Sequence, residues 1–418
     1  MRNLLYSLLA AALLPIFSTS SMAQSTVTSP YTRYGLGEMK KGNYGPMAAM
    51  GGASTAYGNN KAINPFNPAS FAAMDTLSFL FDVGLTGEIS QQSSPNYNEV
   101  FKNSAFDHIN LAFPINRNIG ISLGVMPYAS TGFNTAFKTT NALGDIFQAF
   151  RTEGGINEFY LGGGIKLGKH LRVGANLSYL FGQIVNTSEV TVDEEGYYTT
   201  LSEQKLNLKD LNFNGGLQYL VHLTPKTELT LAATYHNKRK TNTSGEFMVL
   251  SIGNSSMDTI ISPNNQDLDY VIPARYSLGA AINYNESLMI LTDVSMQNWE
   301  NSTINSIGES FERNLSGHIG IEYVPDRTSL TSYLSLVRYR VGGFYDSGYM
   351  KLNGENIKNY GITFGLGLPI ANPKTSINLS CELGKRGTSN NNLIDESYAF
   401  FGINFTFADM WFLKRKYQ

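Results

Sequence analysis

Charged side chains are scarce in this 418-residue chain. Asp, Glu, Lys and Arg make up 15% of the residues, against about 25% in a typical soluble domain. The formal net charge is only −2. A protein that binds nucleic acid needs a basic stripe to neutralise phosphates, and this sequence has none. The composition therefore argues against nucleic acid as a partner.

Residues that commonly carry chemistry are also few or badly spaced. Cys381 is the single cysteine, so the chain can form neither an internal disulfide nor a thiolate metal cluster. The five histidines lack the His-x-x-x-His and Glu-x-x-His spacings of zinc sites, and no Gly-x-Ser-x-Gly nucleophile elbow occurs. We therefore predict no metal, no cofactor and no enzymatic activity. An enzyme is the alternative, because some β-barrel proteins, the outer-membrane lipases and proteases, are enzymes.

Long apolar runs are missing after the first residues. Residues 1–23 have a cationic start at Arg2, an apolar stretch and a Ser21-Met22-Ala23 end, which is typical of a secretory signal peptide cleaved before Gln24. An uncleaved anchor is the alternative, but Pro15 breaks the stretch and it is shorter than the roughly 20 residues of a spanning helix. Beyond it, a membrane role would have to use strands.

What the chain does have is alternation of apolar and polar residues. Leu177 and Tyr179 would lie on one face of a strand, with Asn176 and Ser178 on the other. The pattern returns in about fourteen stretches. Many of them reach the roughly 9 to 11 residues that a tilted strand needs to cross a membrane. We predict strands near residues 77–87, 106–115, 119–128, 157–168, 170–184, 208–223, 227–238, 273–284, 287–298, 314–324, 332–343, 357–370, 374–384 and 397–407.

The connections between these stretches alternate in length. Tight turns such as Asn116-Arg117-Asn118 and Gly168-Lys169 take turns with polar loops. Short periplasmic turns and long outer loops are typical of outer-membrane β-barrels. This pattern predicts an all-β, antiparallel transmembrane barrel of about fourteen strands. An even strand number places the start of the first strand and the end of the last strand on the periplasmic side.

The segment before the first strand shows neither the helical nor the strand periodicity of apolar residues. Its Gly51-Gly52 pair and its Asn-Pro-rich residues 64–70 supply turns rather than ladders. We expect a compact plug in the barrel lumen, with a flexible exposed leader as the alternative. The predicted organisation is a signal peptide over 1–23, a plug over 24–76, a barrel over 77–407 and a periplasmic tail over 408–418.

Residues 51–74, with the triplet Asn67-Pro68-Ala69 just before the first strand, resemble the N-terminal hatch of FadL-like outer-membrane transporters of fatty acids and aromatic hydrocarbons. Residues 272–276, followed by Gly279, Asp293 and Trp299, are similar to a hairpin of this family. The tail from Gly361 to Tyr417 looks like the version in Bacteroidota.

The resemblance implies a hatch-gated barrel in the outer membrane of a Gram-negative bacterium, with hydrophobic ligands leaving sideways through a gap at a kinked strand. It places the gate at Asn67, Pro68 and Ala69, which could equally form a structural turn. Pro127 is the candidate kink, because proline lacks the amide that a ladder needs, or it marks an ordinary strand end.

Apolar side chains of the predicted plug could line a ligand pocket, because methionine adapts to varied ligands. They could instead pack the plug against the barrel wall. These candidates are Met47, Met50, Phe66, Phe71 and Met74.

The predicted function is passive uptake of hydrophobic small molecules or lipids, such as long-chain fatty acids, by a barrel bathed in outer-membrane lipid. Apolar surface moving from water to apolar walls gains about 25 cal/mol per Å². The alternative is a barrel subunit or cargo shuttle of a Bacteroidota secretion or assembly complex. Its contact surfaces for machinery proteins would be the long loop over residues 237–270 and the basic tail Lys414-Arg415-Lys416.

Overall fold

The computed structural model describes residues 27–40, 42–94, 97–141, 144–194, 196–253, 256–268, 270–300, 302, 309–370 and 372–410. The predicted signal peptide and the basic tail lie outside these residues. The strands of the described residues, numbered along the chain, are β1 (Glu38–Met39), β2 (Ser78–Ser94), β3 (Tyr97–Pro114), β4 (Ile119–Ser130), β5 (Phe133–Asn141), β6 (Gly144–Leu167), β7 (Leu171–Val192), β8 (Thr199–Thr224), β9 (Thr227–His236), β10 (Arg239–Lys240), β11 (Thr243–Ile252), β12 (Met257–Leu268), β13 (Val271–Ile272), β14 (Arg275–Tyr284), β15 (Leu288–Asn298), β16 (Glu309–Phe311), β17 (Arg313–Tyr323), β18 (Arg338–Asp346), β19 (Met350–Leu352), β20 (Glu355–Asn356), β21 (Asn359–Ile370), β22 (Asn372–Gly387) and β23 (Asp395–Met410).

Fourteen of these strands form one closed antiparallel barrel. Each wall strand pairs with the next, and the last closes the ring on the first, with Phe81 opposite Phe407. The wall runs β2, β3, β4, β6, β7, β8, β9, β14, β15, β17, β18, β21, β22 and β23. The predicted strand number and fold class are confirmed.

Helices are few and short in the described residues. One α-helix, α1, covers Gly45–Ala48. The 3₁₀ helices cover Pro30–Arg33, Pro68–Ala73, Tyr333–Ser335 and Asn390–Asn392. Within the described part of the chain, no helix combines the length and the apolar character that crossing a membrane requires.

The two faces of the wall differ as the alternation predicts. Leu177 and Leu211 point outward and are 56% and 61% exposed. Asn176, Ser178 and Asn212 point inward and are buried. An apolar exterior and a closed ladder satisfy both requirements of a strand in lipid, since no backbone edge is left on the outside where the ring is complete.

One end of the barrel, which we call the turn end, carries the tight connections at 115–118, 168–170 and 225–226. The opposite end, the loop end, departs from the prediction. Residues 88–105 belong largely to the β2–β3 hairpin rather than to a polar loop. Strands β6, β7 and β8 likewise continue far beyond bilayer length, because paired strands in water keep their ladder but lose the apolar face that marks them in the sequence.

At the loop end these extensions build a sheet above the barrel. Strand β5 pairs with the upper part of β6, and β11 pairs with the upper part of β8. The loop predicted over residues 237–270 therefore contains the β11–β12 hairpin. A second departure is at the turn end, where the connection over residues 324–337 is long and includes a 3₁₀ turn.

Residues 27–77, the hatch segment, lie inside the ring. The backbone of Gly51 approaches Gly343 and Ile319, and Ala49 and Phe71 approach Gly365 and Gly120 of other wall strands. A Cβ at Gly120, Gly342 or Gly365 of the wall would point into this segment. These contacts favour the expected plug over the exposed leader, and the plug stays a prediction.

Candidate functional site

The last part of the hatch segment, residues 64–73, is seated on glycines of the wall, and we call it the hatch anchor. A Cβ added to Gly164, Gly174 or Gly216 would overlap Pro68, Ala69 or Asn67. Only a wall without side chains at these inward positions lets the two backbones approach so closely. The anchor therefore depends on glycines that alternate with apolar outward residues.

Asn67 holds the anchor together by hydrogen bonds. It is fully buried, and its Nδ2 donates to the carbonyl of Thr55 at 2.6 Å. Its Oδ1 accepts from the amide of Ala69 at 3.1 Å, which caps the following 3₁₀ helix. Asn67, Pro68 and Ala69 thus form a buried turn against β7 and β8, and their role as a gate stays a prediction.

The five candidate ligand residues are distributed over two apolar clusters. Met47 and Met50 are completely buried with Tyr44. Phe71 is buried in a second cluster, where Phe66 and Met74 pack against it. The lumen cavity described below is lined by other residues, so the structure places these five between hatch and wall, and a ligand-binding role for them stays a prediction.

A cavity of about 150 Å³ lies between the hatch segment and the wall. Its apolar side includes Met39, Tyr349, Met350, Ile357 and Phe344. Its polar side is formed by charged residues of β1, β3 and β22, taken up below. A cavity of this size lined by apolar groups accepts a benzene-sized molecule.

The cations that line this cavity are already paired. Lys40 Nζ lies 2.9 Å from a carboxylate oxygen of Asp107. The guanidinium of Arg386 lies 2.7 Å from Glu38 and 3.5 Å from Glu396. Such charge-assisted contacts are strong when they are shielded from water.

Glu382 also lines the cavity, but it pairs with neither of these cations. It is buried, and it accepts hydrogen bonds from Asn43 Nδ2 and from the Tyr398 hydroxyl, each at 3.1 Å. Within the described residues it makes no salt bridge. It faces the cavity with neutral partners.

Next to the cavity, the wall ladder is incomplete. Strands β3 and β4 pair only from Pro114 opposite Gly120 to Ile109 opposite Val125. Above that pair, β3 pairs only with β2, while β4 and β5 pair with β6. We call this interruption the seam.

Both strands that border the seam are irregular where it begins. In β3, a register shift opposite Gly84 and Leu85 leaves Asp107 as an extra residue. As a result Asp107 and His108 are both buried instead of alternating. In β4, the pairing to β6 shifts between Pro127 and Ala129. Pro127 thus lies two residues past the last β3–β4 pair.

Residues 27–40, the hatch arm, cover the seam from inside. Strand β1 pairs with β4, with Glu38 opposite Ser130 and Met39 opposite Ala129. The amide of Lys40 donates to the carbonyl of Tyr128 at 3.0 Å. With its side chain on Asp107 of β3, Lys40 therefore contacts both borders of the seam.

The surroundings of the arm shift the pKa values of two of its side chains, Tyr31 and Lys40. Burial raises the pKa of Tyr31 to about 12, so this phenol stays protonated and donates to the carbonyl of Ile394. Burial lowers the pKa of Lys40, but the neighbouring Asp107 charge and hydrogen bond raise it, with a net upward shift. The arm ammonium is therefore charged at neutral pH.

Sequence reasoning missed the residues that make this site. Glu38, Lys40, Asp107, Glu382 and Arg386 come from three separate parts of the chain. A signal exists for Asp107, which falls on the same face of its predicted strand as the apolar residues Ile109 and Leu111. In the described residues, no group of His, Cys, Asp and Glu has a geometry suited to a metal ion.

Sequence comparison assigns the chain to a family. The sequence model named BamG matches residues 6–418. The chain belongs to the BamG family. No curated protein matches this BamG-family chain significantly.

The fold of this BamG-family chain is similar to that of solved transport proteins. The toluene transporter TodX of P. putida superposes with a TM-score of 0.60 at 15% identity, covering 89% of this chain and 99% of that one. The Ralstonia pickettii toluene transporter TbuX gives 0.58 at 15% identity, covering 88% and 98%. A Pseudomonas aeruginosa FadL homologue gives 0.57 at 14% identity, covering 92% and 99%.

These similarities establish the fold of a FadL-like barrel. Together with the apolar exterior and the closed ring, they identify an outer-membrane barrel. That the turn end, where the first and last wall strands have their free ends, is the periplasmic end stays a prediction.

Proposed function

We propose that this BamG-family barrel is a passive outer-membrane channel for hydrophobic small molecules, with the lumen cavity as a binding station and the seam as a sideways exit. One observation carries the proposal. Asp107 and Ser130, on the two borders of the seam, also line the cavity. A ligand in the cavity is thus separated from the lipid by the hatch arm and not by a complete ladder.

The energetics favour a lateral route for an apolar solute. Its surface gains roughly 25 cal/mol per Å² on leaving water for apolar walls, and the lipid beside the seam offers a similar environment. The comparisons support the same class of ligand, since TodX and TbuX are described as toluene transporters. Gating by the hatch is part of this proposal, whereas the expected uptake of long-chain fatty acids stays a prediction outside it.

A reversible lock on the seam tests the exit. Glu38→Cys and Ser130→Cys occupy facing positions of β1 and β4, where a disulfide can form if the Cβ atoms are close. In a Cys381→Ala background, whole cells expressing the oxidised variant should take up labelled toluene several-fold more slowly than wild type, and reduction should restore the rate.

The matched control places a disulfide in a complete part of the wall. Ser277 and Ser295 face each other on β14 and β15, and cysteines there should leave uptake unchanged. Equal uptake by the oxidised and reduced seam variants would reject the seam as exit. Uptake no faster than in cells lacking the protein would reject the channel itself.

A second candidate is a barrel subunit of an outer-membrane assembly machine. The sheet above the barrel, which β5, β11 and β12 build on the extended wall strands, is the observation that favours it. The sheet above the barrel and the long periplasmic connection over residues 324–337 would then be contact surfaces. Purification from native membranes in mild detergent separates the two: stoichiometric partner proteins support the subunit, and a lone barrel with bound lipid supports the channel.

A further inference from the structure

The charge balance of the lumen cavity bears on which headgroup a ligand can carry, an inference that rests on the proposed channel. We propose that Glu382 makes the cavity select ligands whose polar group donates a hydrogen bond, such as an alcohol or an amine, and reject carboxylates. Free fatty acids would then be poor ligands of this station.

The first step concerns the cations. A carboxylate ligand needs a cationic partner in a buried site, because an unpaired buried charge is costly. Lys40 already contacts Asp107 at 2.9 Å. Arg386 already lies between Glu38 and Glu396. Binding a ligand carboxylate would therefore require breaking one of these protein pairs.

The second step concerns the carboxylates. Glu382 lines the cavity and receives only neutral hydrogen bonds from Asn43 and Tyr398. A carboxyl group has more acceptor positions than the two hydrogen bonds that Glu382 receives, so Glu382 can take a further donor from a ligand. A ligand carboxylate would instead add negative charge to a cavity that already holds Glu38 and Asp107, in a site of low dielectric.

The third step concerns size and shape. The cavity of about 150 Å³ suits a benzene-sized body. Phe344, Met350 and Ile357 are among the apolar residues that line it, and Glu382 is among the charged ones. A small aromatic ring with one donor group can therefore contact the apolar residues while its donor reaches Glu382.

The test uses four probes of nearly equal size: benzylamine, benzyl alcohol, toluene and benzoate. Saturation-transfer NMR on the full-length protein in amphipol measures binding of each, with signals from amphipol alone subtracted. In wild type we expect benzylamine and benzyl alcohol to bind more tightly than toluene, and benzoate to bind most weakly. Replacing the acceptor by Glu382→Gln should narrow the ratio of benzylamine to benzoate affinity about tenfold, the effect of one charge-assisted hydrogen bond.

Glu158→Gln is the matched control. Glu158 is also a buried, inward-facing wall glutamate, but it lies outside this cavity. Its replacement should leave the order of the four probes unchanged. The folding of both variants is checked by the heat-modifiable migration of the closed barrel on gels.

Different failures have different meanings. If wild type binds all four probes alike, or if Glu382→Gln keeps the wild-type order, headgroup selection by Glu382 is overturned while the channel stands. If no probe binds to wild type and labelled toluene is not taken up by cells, the proposed channel fails as well.

Discussion

The two ends of the hatch segment are held to the wall in different ways. The hatch anchor, residues 64–73, lies on glycines of β6, β7 and β8 with its backbone close to theirs. The hatch arm, residues 27–40, is held by a two-residue ladder, by ion pairs of Glu38 and Lys40, and by hydrogen bonds of Tyr31 and other side chains around the buried Leu36. Close backbone packing leaves no room for an added side chain, whereas polar side-chain contacts can be removed one at a time. We therefore expect single substitutions to loosen the arm without disturbing the anchor.

The largest effect is expected from adding a side chain at a wall glycine beneath the hatch anchor. In Gly174→Ala the new Cβ would overlap the backbone of Pro68. We expect destabilisation by about 1–3 kcal/mol, as for other overpacked sites, and protease cleavage within the hatch. Gly163→Ala is the control, because its Cβ would meet only the Gly120 carbonyl, at 3.8 Å. Equal thermal unfolding of the two variants would contradict the anchor.

Asn67→Ala removes the polar contacts of the anchor without adding bulk. The carbonyl of Thr55 and the amide of Ala69 lose their partner, which should cost about 1–3 kcal/mol. Denaturant unfolding measures the loss, with Asn60→Ala as an exposed control. If stability is unchanged while toluene uptake rises, Asn67 belongs to a gate and the comparison must be reversed.

Asp107→Asn removes the ion pair of the arm and also the carboxylate partner of His108 in the wall. Loss of the ion pair to Lys40 should expose Ala129, which the arm keeps 1% accessible. In an Ala129→Cys, Cys381→Ala background we expect maleimide labelling about five- to tenfold faster, the effect of losing one buried charged hydrogen bond.

Two controls separate this effect from general loosening. Glu312→Gln breaks an ion pair of the same length, 2.9 Å to Lys351, away from the seam, and should not change labelling. A cysteine at Ala112, buried with Phe71 of the anchor, should stay protected in Asp107→Asn. Labelling of both cysteines would mean that arm and anchor move together.

The smallest effect is expected from Pro127→Ala. The change restores one backbone amide beside the shifted β4–β6 pairing. A hydrogen bond from this amide would add about 0.5–1.5 kcal/mol to the free energy of unfolding. We expect a slight rise in thermal stability and a modest fall in uptake. An unchanged uptake rate would make Pro127 an ordinary strand irregularity.

The sequence predicts the wall well, because lipid outside and polar residues inside impose a period of two on each strand. Leu177 and Asn176 show this on β7. The parts of the ladder above the membrane were not predicted, since water on both sides removes the contrast. Residues 88–105 were therefore expected to be loop and are mostly strand.

The site could be predicted only in part. The resemblance indicated a hatch and a kinked strand, and Pro127 does lie beside the seam. It did not indicate Lys40 or Asp107, because their contact joins positions 67 residues apart. Nor could periodicity identify Gly174 as a seat for Pro68, since an inward glycine looks the same in the sequence whether or not a backbone lies against it.

The closure of the ring on itself also sets an order of events during folding. Asp82 of the first wall strand and Asn404 of the last are hydrogen-bonded although 322 residues separate them. Such a contact forms late, because pairing between distant parts of a chain is slow. Closing a long loop lowers the chain entropy before the new contact contributes any stabilisation. The hatch segment, synthesised before any wall strand, must therefore be taken in while the ring is still open.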